Sequence, residues 1–357
     1  MSHSDGARPP KRTRAEVENE SDLDSVSQRQ GNEDSAQSGV KRDEEFWFHD
    51  GSVVIRAGET AFRLFKGLLA AQSPVLHDLF SAPNFAPDEH IDGVPVVRVF
   101  DAPEDWRYLL RILVPKGEMI MLETIRSLKD FPLVSALMRL AHKYQIGSLE
   151  QRAIEALKRM YPNTFESFVQ VQSEVYPADA NNTRQLASNP PVLATYAISA
   201  TNLARLTNTT SVLPAALYHC VCLGGAVVRG LVREGGPVEF LSEADLAICI
   251  NATSLLTCAS AEYVDSMQCS LSYTCGTPRV CGLIWNEKMK KLKEEWQLRL
   301  GSHALRGSAH DYRELCTSCL VLAQKRDLEE RRQVWQRLPK LLDIAHVVGP
   351  WPVKKRL

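Results

Sequence analysis

The first 45 residues contain no Phe, Trp or Tyr and only scattered Val, Leu and Ala among Ser, Asp, Glu, Arg and Gln. A segment this poor in apolar side chains cannot bury enough surface to offset the entropy of ordering it, so residues 1–45 read as a disordered acidic tail. Neither sign of charge prevails: 42 basic side chains face 43 acidic ones, for a net charge of -1. The uniform positive field that captures nucleic acid or an anionic bilayer is missing, and neither is expected as a direct partner. The start of the chain lacks an apolar signal region, and the longest apolar stretch, residues 212–228, is interrupted by Pro214, Tyr218 and His219. That stretch is shorter than the roughly 20 residues of a membrane span, so an intracellular chain, nuclear or cytoplasmic, is expected. Its nine cysteines are then expected to be reduced, which excludes a disulfide framework and leaves the sequons at Asn181, Asn208 and Asn251 silent. No GxSxG, GxxxxGK[ST], HExxH or strand-following GxGxxG occurs, and no enzyme is expected.

Against these absences, Pro9-Pro10-Lys11-Arg12-Thr13-Arg14 is a short basic cluster followed by the acidic run Glu16–Asp24. It reads either as a nuclear-import signal at Lys11–Arg14 or as a solvated charge run. Composition then changes at Phe46-Trp47-Phe48. Val53–Ala57 reads as a strand, Gly58-Glu59-Thr60 as a turn and Ala61–Phe65 as the hairpin partner. Leu68, Leu69, Val75, Leu76, Leu79 and Phe80 fall on helical spacings, with Ser73 as N-cap and Pro74 at the first helical position. Val94–Phe100 alternates like a strand, and Asp101–Asp105 opens a helix with Trp106, Leu109, Leu110, Ile112 and Leu113 on its apolar face. Helices over Phe131–Tyr144 and Ser148–Met160 follow. Strands and helices without βαβ repetition indicate an α+β fold.

The segment Phe62-Arg63-Leu64-Phe65-Lys66-Gly67-Leu68-Leu69-Ala70-Ala71-Gln72-Ser73-Pro74-Val75-Leu76-His77-Asp78-Leu79-Phe80 strongly resembles the signature of the BTB (POZ) domain. Val96-Val97-Arg98-Val99 is similar to the family's later strand. Leu140-Ala141-His142-Lys143-Tyr144-Gln145-Ile146-Gly147-Ser148-Leu149 resembles its Leu-Ala-x-Lys-Tyr-x-Ile-x-x-Leu helix pair. The opening Phe-Trp-Phe-x-Asp-Gly and Pro103-Glu104-Asp105-Trp106 resemble the fungal-type single-BTB family. The resemblance covers residues 46–160, which implies a BTB domain there and a protein-interaction module that homodimerises; the alternatives are a nuclear transcriptional-regulatory scaffold that uses the dimer to recruit partners, or a substrate adaptor for a cullin-type ubiquitin ligase. Three positions depart from the family pattern: Phe65 replaces a strand His, Ser52 replaces the charged-pocket Asp with Asp50 two residues upstream, and Val114 replaces a helix-ending Tyr. Binding to a cullin ubiquitin-ligase scaffold, which the family achieves with a hydrophobic-x-Glu element, is weakened because the loop Ser81–Glu89 carries Pro87 at the acidic position. The candidate interface is Phe46, Trp47, Phe48, Asp50, Val53, Ile55, Phe65 and Leu69. The alternative is that Trp47 and Phe48 close their own core.

Residues 161–357 read as an α-helical region of unrecognised type. Pro162 and Pro190-Pro191 punctuate it, Leu213–Val232 reads as an apolar helix broken at Gly224-Gly225, and Ser242 caps a helix over Leu246–Leu256. A long charged helix is expected over Tyr312–Leu338. Lys288, Lys290, Lys291 and Lys293 lie on a helix with Trp285 and Trp296, where Glu294 and Glu295 answer the charge and a solvated face is expected. Cys316-Thr-Ser-Cys319 has the spacing at which two thiolates reach one tetrahedral metal, and Cys258, Cys269, Cys275 or Cys281 would complete a structural zinc site. The candidate ligands are Cys269, Cys275, Cys316 and Cys319, with His303 and His310 in reserve. The alternative, and the default, is ordinary buried thiols with no cofactor. Cys220 and Cys222 read as core residues.

Overall fold

The computed structural model describes residues 39–83, 85, 88–115, 120–175, 192–233, 236–267, 271–298, 305 and 312–352. Its first strand, β1 (Lys41–Trp47), starts inside the segment expected to be tail, so residues 41–45 belong to the fold. The reason is Asp43, which is 4% exposed and accepts the backbone N–H groups of Glu45 and Phe46 and, at 2.7 Å, the Arg107 Nε. One buried carboxylate and the buried Phe46 ring anchor a strand whose first five residues are all charged, which a count of apolar residues does not register. Residues 1–38 of the expected tail, including Lys11–Arg14, lie outside the described residues.

Strands β2 (Val53–Ala57) and β3 (Thr60–Leu64) pair antiparallel, Val53 with Leu64 through Ala57 with Thr60, and Gly58 adopts a φ of 56° at the turn. β3 begins one residue earlier than the sequence pattern suggests. After α1 (Lys66–Gln72) and α2 (Pro74–Ser81), the two-residue β4 (His90–Ile91) leads into β5 (Val94–Val99), which lies parallel to β2. Parallel strands need a crossover, and α1 and α2 supply it. The sheet order is β1-β3-β2-β5-β4, with β1 parallel to β3. Alternation divides β2 between two faces: Val53, Ile55 and Ala57 join the main core, while Val54 meets Ala61, Val94 and Val96 on the other side.

Helices α3 (Pro103–Leu113), α4 (Phe131–Lys143) and α5 (Gly147–Met160) sit where the periodicity places them. They are followed by α6 (Phe165–Val175), α7 (Val192–Thr195), α8 (Ala197–Leu206) and α9 (Leu213–Cys222). The apolar helix expected to reach Val232 ends ten residues earlier by this boundary, in a 3-10 turn over Gly224–Arg229 and a hairpin of β6 (Leu231–Val232) and β7 (Val238–Glu239). Gly230 explains the change of path: its φ is 74°, and a Cβ there would lie 2.6 Å from the Glu239 carbonyl oxygen. Helix α10 (Glu243–Ser266) is capped by Ser242, which accepts the Asp245 N–H at 3.1 Å, and runs beyond the expected Leu256. By length and composition it is apolar enough to cross a membrane. Its buried residues Cys249, Ala252, Leu256, Ala259 and Tyr263 recur at helical spacing along one face. Helices α11 (Pro278–Leu298), α12 (Thr317–Leu341) and α13 (Ala345–Val348) complete the described fold. Residues 312–314, expected in the long charged helix, form a separate 3-10 turn.

The architecture is mixed α+β, a small five-stranded sheet within a larger set of helices. Residues from Val40 onward form one compact unit, and the expected boundary at 160/161 falls inside its core: Met160 and Tyr161 are each 1% exposed. Phe131 stacks on Tyr196 at 4.6 Å and lies edge-on to Tyr161 at 6.4 Å, so aromatic contacts cross the boundary. A second, smaller cluster gathers Tyr263, Met267, Cys281, Trp285, Met289, Tyr312 and Cys319.

Candidate functional site

The eight candidate interface residues divide by burial. Phe46, Val53, Ile55 and Leu69 are at most 1% exposed and pack within the chain's own core. Trp47 is half-buried over the Val54 cluster, with the Arg42 guanidinium 4.8 Å from its ring centroid. Phe48 and Phe65 form a half-buried pair with centroids 5.0 Å apart, and Asp50 is exposed beside them. What these elements present outward is therefore a small aromatic edge beside a carboxylate. In the loop after α2, Phe85 turns back onto Phe80 at 5.6 Å and lies 4.7 Å from the Lys66 Nζ, while Glu89 accepts from Arg56 at 2.8 Å and Arg98 at 2.6 Å. The ring and the carboxylate of this loop are thus engaged by their own chain; Pro87 lies outside the described residues.

A buried ion network stands between α3, α4 and the β6–β7 hairpin. Arg233 Nη2 donates to Asp105 at 2.6 Å, and its Nε lies 3.1 Å from Glu239. Arg139 also donates to Glu239, to Ser135 and, at 2.6 Å, to Ser199. Burial, the largest influence, pulls the Arg139 pKa below the ordinary guanidinium value. Asp105, Ser135, Ser199 and Arg233 border a cleft of about 240 Å³ that Tyr108 and Tyr196 also line. Asp105, in the first turn of α3, has the Arg233 guanidinium as its partner. Nothing in the sequence signals the network, because its members come from segments about 30 to 130 positions apart and pair only once the chain has folded.

The third constellation is made of cysteines. Cys275 follows a turn, Cys281 lies in the first turn of α11 behind Pro278, Cys316 is the N-cap of α12 and Cys319 lies in its first turn. Their four sulfurs lie within 4.8 Å of one another, with Cys275 and Cys316 Sγ 3.7 Å apart. The Cys316 N–H donates to Cys281 Sγ at 3.4 Å, and the Thr277 hydroxyl is 3.3 Å from the same sulfur. The Cys319 peptide N–H, the largest influence, holds the Cys316 pKa down to about 6, whereas burial pushes Cys319 and Cys275 up. Of the four sequence candidates, Cys275, Cys316 and Cys319 converge, and Cys281 takes the remaining place. Cys269, His303 and His310 lie outside the described residues. Cys281 is recognisable in retrospect: Thr277-Pro278 starts a helix, so a cysteine three residues later faces back toward the turn holding Cys275. Cys220 is fully buried, and burial raises its pKa well above the ordinary thiol value, the state of an inert core thiol.

Along α11, Lys291 pairs with Glu287 at 2.8 Å, Lys290 with Glu294 at 3.8 Å and Lys288 with Glu314 at 3.0 Å, so acidic neighbours answer this basic run. Comparison of the chain with protein-family models, curated proteins and solved structures finds no match.

Proposed function

We propose that this chain is a non-enzymatic protein-protein interaction module built around a BTB-type fold over residues 46–160, and that it self-associates. The observation that carries the reading is the contact between its two signature segments. Ser73, from the Ser-Pro segment, donates its hydroxyl proton to the Tyr144 carbonyl at 2.6 Å across 71 residues and accepts the Leu76 N–H at 3.1 Å. Tyr144, from the Lys-Tyr segment, in turn donates to Asp101 and packs its ring edge-on to Trp106 at 5.4 Å. Residues that carry the resemblance in sequence thus serve one another in space, each meeting a polar requirement that burial would otherwise leave open. The β2–β3 hairpin, the α1–α2 crossover and the parallel β5 give the same reading a consistent topology.

The half-buried Phe48–Phe65 edge is the contact surface in this reading, since aromatic groups with one face exposed are efficient interface anchors. Light scattering on the full chain over a concentration series tests it. A dimer mass is expected, falling to the monomer mass in a Phe48→Glu, Phe65→Glu double variant whose circular dichroism is unchanged. A monomer at every concentration removes self-association.

A further inference from the structure

We infer that Cys275, Cys281, Cys316 and Cys319 form a closed, structural zinc site. Zn–S bonds of about 2.3 Å at tetrahedral angles place sulfurs about 3.8 Å apart. The Cys275–Cys316 separation of 3.7 Å meets that value, and all four sulfurs fall within 4.8 Å of one another. The same separation is well beyond the roughly 2 Å of a disulfide. Four soft thiol ligands select zinc over hard cations such as magnesium or calcium, and filling all four positions with protein leaves none for substrate, the arrangement of a structural ion.

The surroundings suit thiolates. Both halves of the site are built at helix N-termini, α11 supplying Cys281 and α12 supplying Cys316 and Cys319, where unpaired peptide N–H groups and the dipole favour negative charge. The Cys316 N–H already donates to Cys281 Sγ, and the Thr277 hydroxyl stands beside the same atom. Such donors orient ligands and spread the charge that four thiolates leave on a zinc ion. On binding, each thiol that is protonated releases its proton to solvent, and no redox step is involved.

The ion would tie the turn after Leu271, the start of α11 and the start of α12 to one point. These elements otherwise meet through the small Trp285–Tyr312 cluster, whose limited apolar surface gives a metal staple much to contribute. The inference is independent of the interaction reading, which rests on residues 46–160.

The test is elemental analysis of the full chain purified without added metal. One zinc per chain is expected, falling at least tenfold in Cys281→Ser and in Cys316→Ser and unchanged in Cys258→Ser. Because a ligand variant can misfold, a second measurement replaces zinc by cobalt(II) in the wild-type chain after chelation. The intense visible bands and sulfur-to-metal charge transfer of a tetrahedral tetrathiolate are expected, reversed by added zinc. Iron in place of zinc, full zinc content in both ligand variants, a Cys275–Cys316 disulfide in the reduced-buffer preparation, or metal-free protein giving no cobalt spectrum would each overturn the assignment.

Discussion

Arg233 and Asp105, 128 positions apart in the chain, form a buried ion pair with Nη2 and Oδ1 2.6 Å apart. Their side chains are 13% and 9% exposed, and Asp105 depends on Arg233 for the charge stabilisation that water would give. Removing Arg233 strands Asp105. Arg233→Ala is expected to destabilise the chain by about 3 kcal/mol in urea unfolding, whereas Arg233→Met with Asp105→Leu recovers most of that loss. A full 3 kcal/mol loss in the double variant would contradict this account.

Ser73 offers a smaller and more local test. It is 1% exposed, caps α2 and reaches Tyr144 across the fold. Ser73→Ala removes the cap and leaves a buried carbonyl without its donor, a loss of about 2 kcal/mol by chemical denaturation. A change under about 0.5 kcal/mol would mean that water replaces the hydroxyl.

Arg56 and Arg98 stand opposite one another on the parallel strands β2 and β5, and Glu89 bridges them. Partial burial acts to raise the Glu89 pKa, but hydrogen bonds from Arg98 and Arg56 outweigh it, and the folded value lies below the ordinary 4.5. A lowered folded pKa stabilises the protein above the unfolded pKa, and this contribution is lost as pH falls through the folded value. Glu89→Gln is expected to cost about 1 kcal/mol at pH 7. In urea midpoints measured against pH, the gap to wild type should close below about pH 4. A constant gap would sink the charge argument.

The core that crosses residue 160 makes a prediction about truncation. A chain ending at Met160 exposes the faces of Phe131 and Met160 that are covered in the whole molecule. It should bind a hydrophobic dye and melt at a lower temperature than the full chain. Equal melting temperatures would show that the N-terminal half has no need of its neighbour.

Local signals account for what the sequence discloses. Alternation marks β2 and β5, the Ser73-Pro74 start marks α2, and spacing marks α3 to α5, because each depends on residues within one or two turns of chain. β1 escapes the same reading since its anchor, Asp43, is polar and finds Arg107 only in the fold. The Leu213–Val232 stretch is mostly apolar, yet Gly224 and Gly230 adopt positive φ and the chain leaves the helix for a hairpin, a choice that hydropathy does not encode. At the cysteine cluster, C-x2-C identifies one pair, while the second pair follows from where α11 begins. The Arg233 network has no short-range signature at all.

Trp335 packs on Phe168 at 4.5 Å and on Trp351 at 5.2 Å, and it is 1% exposed. During synthesis, the aromatic surface of Phe165 and Phe168 emerges long before α12 carries its lid out of the ribosome. Until then the growing chain presents a sticky face of the kind that chaperones hold and quality-control proteases recognise. A stop codon between Phe168 and Trp335 would make that interval permanent, so even a truncation that spares the entire five-stranded sheet should be depleted from cells by degradation.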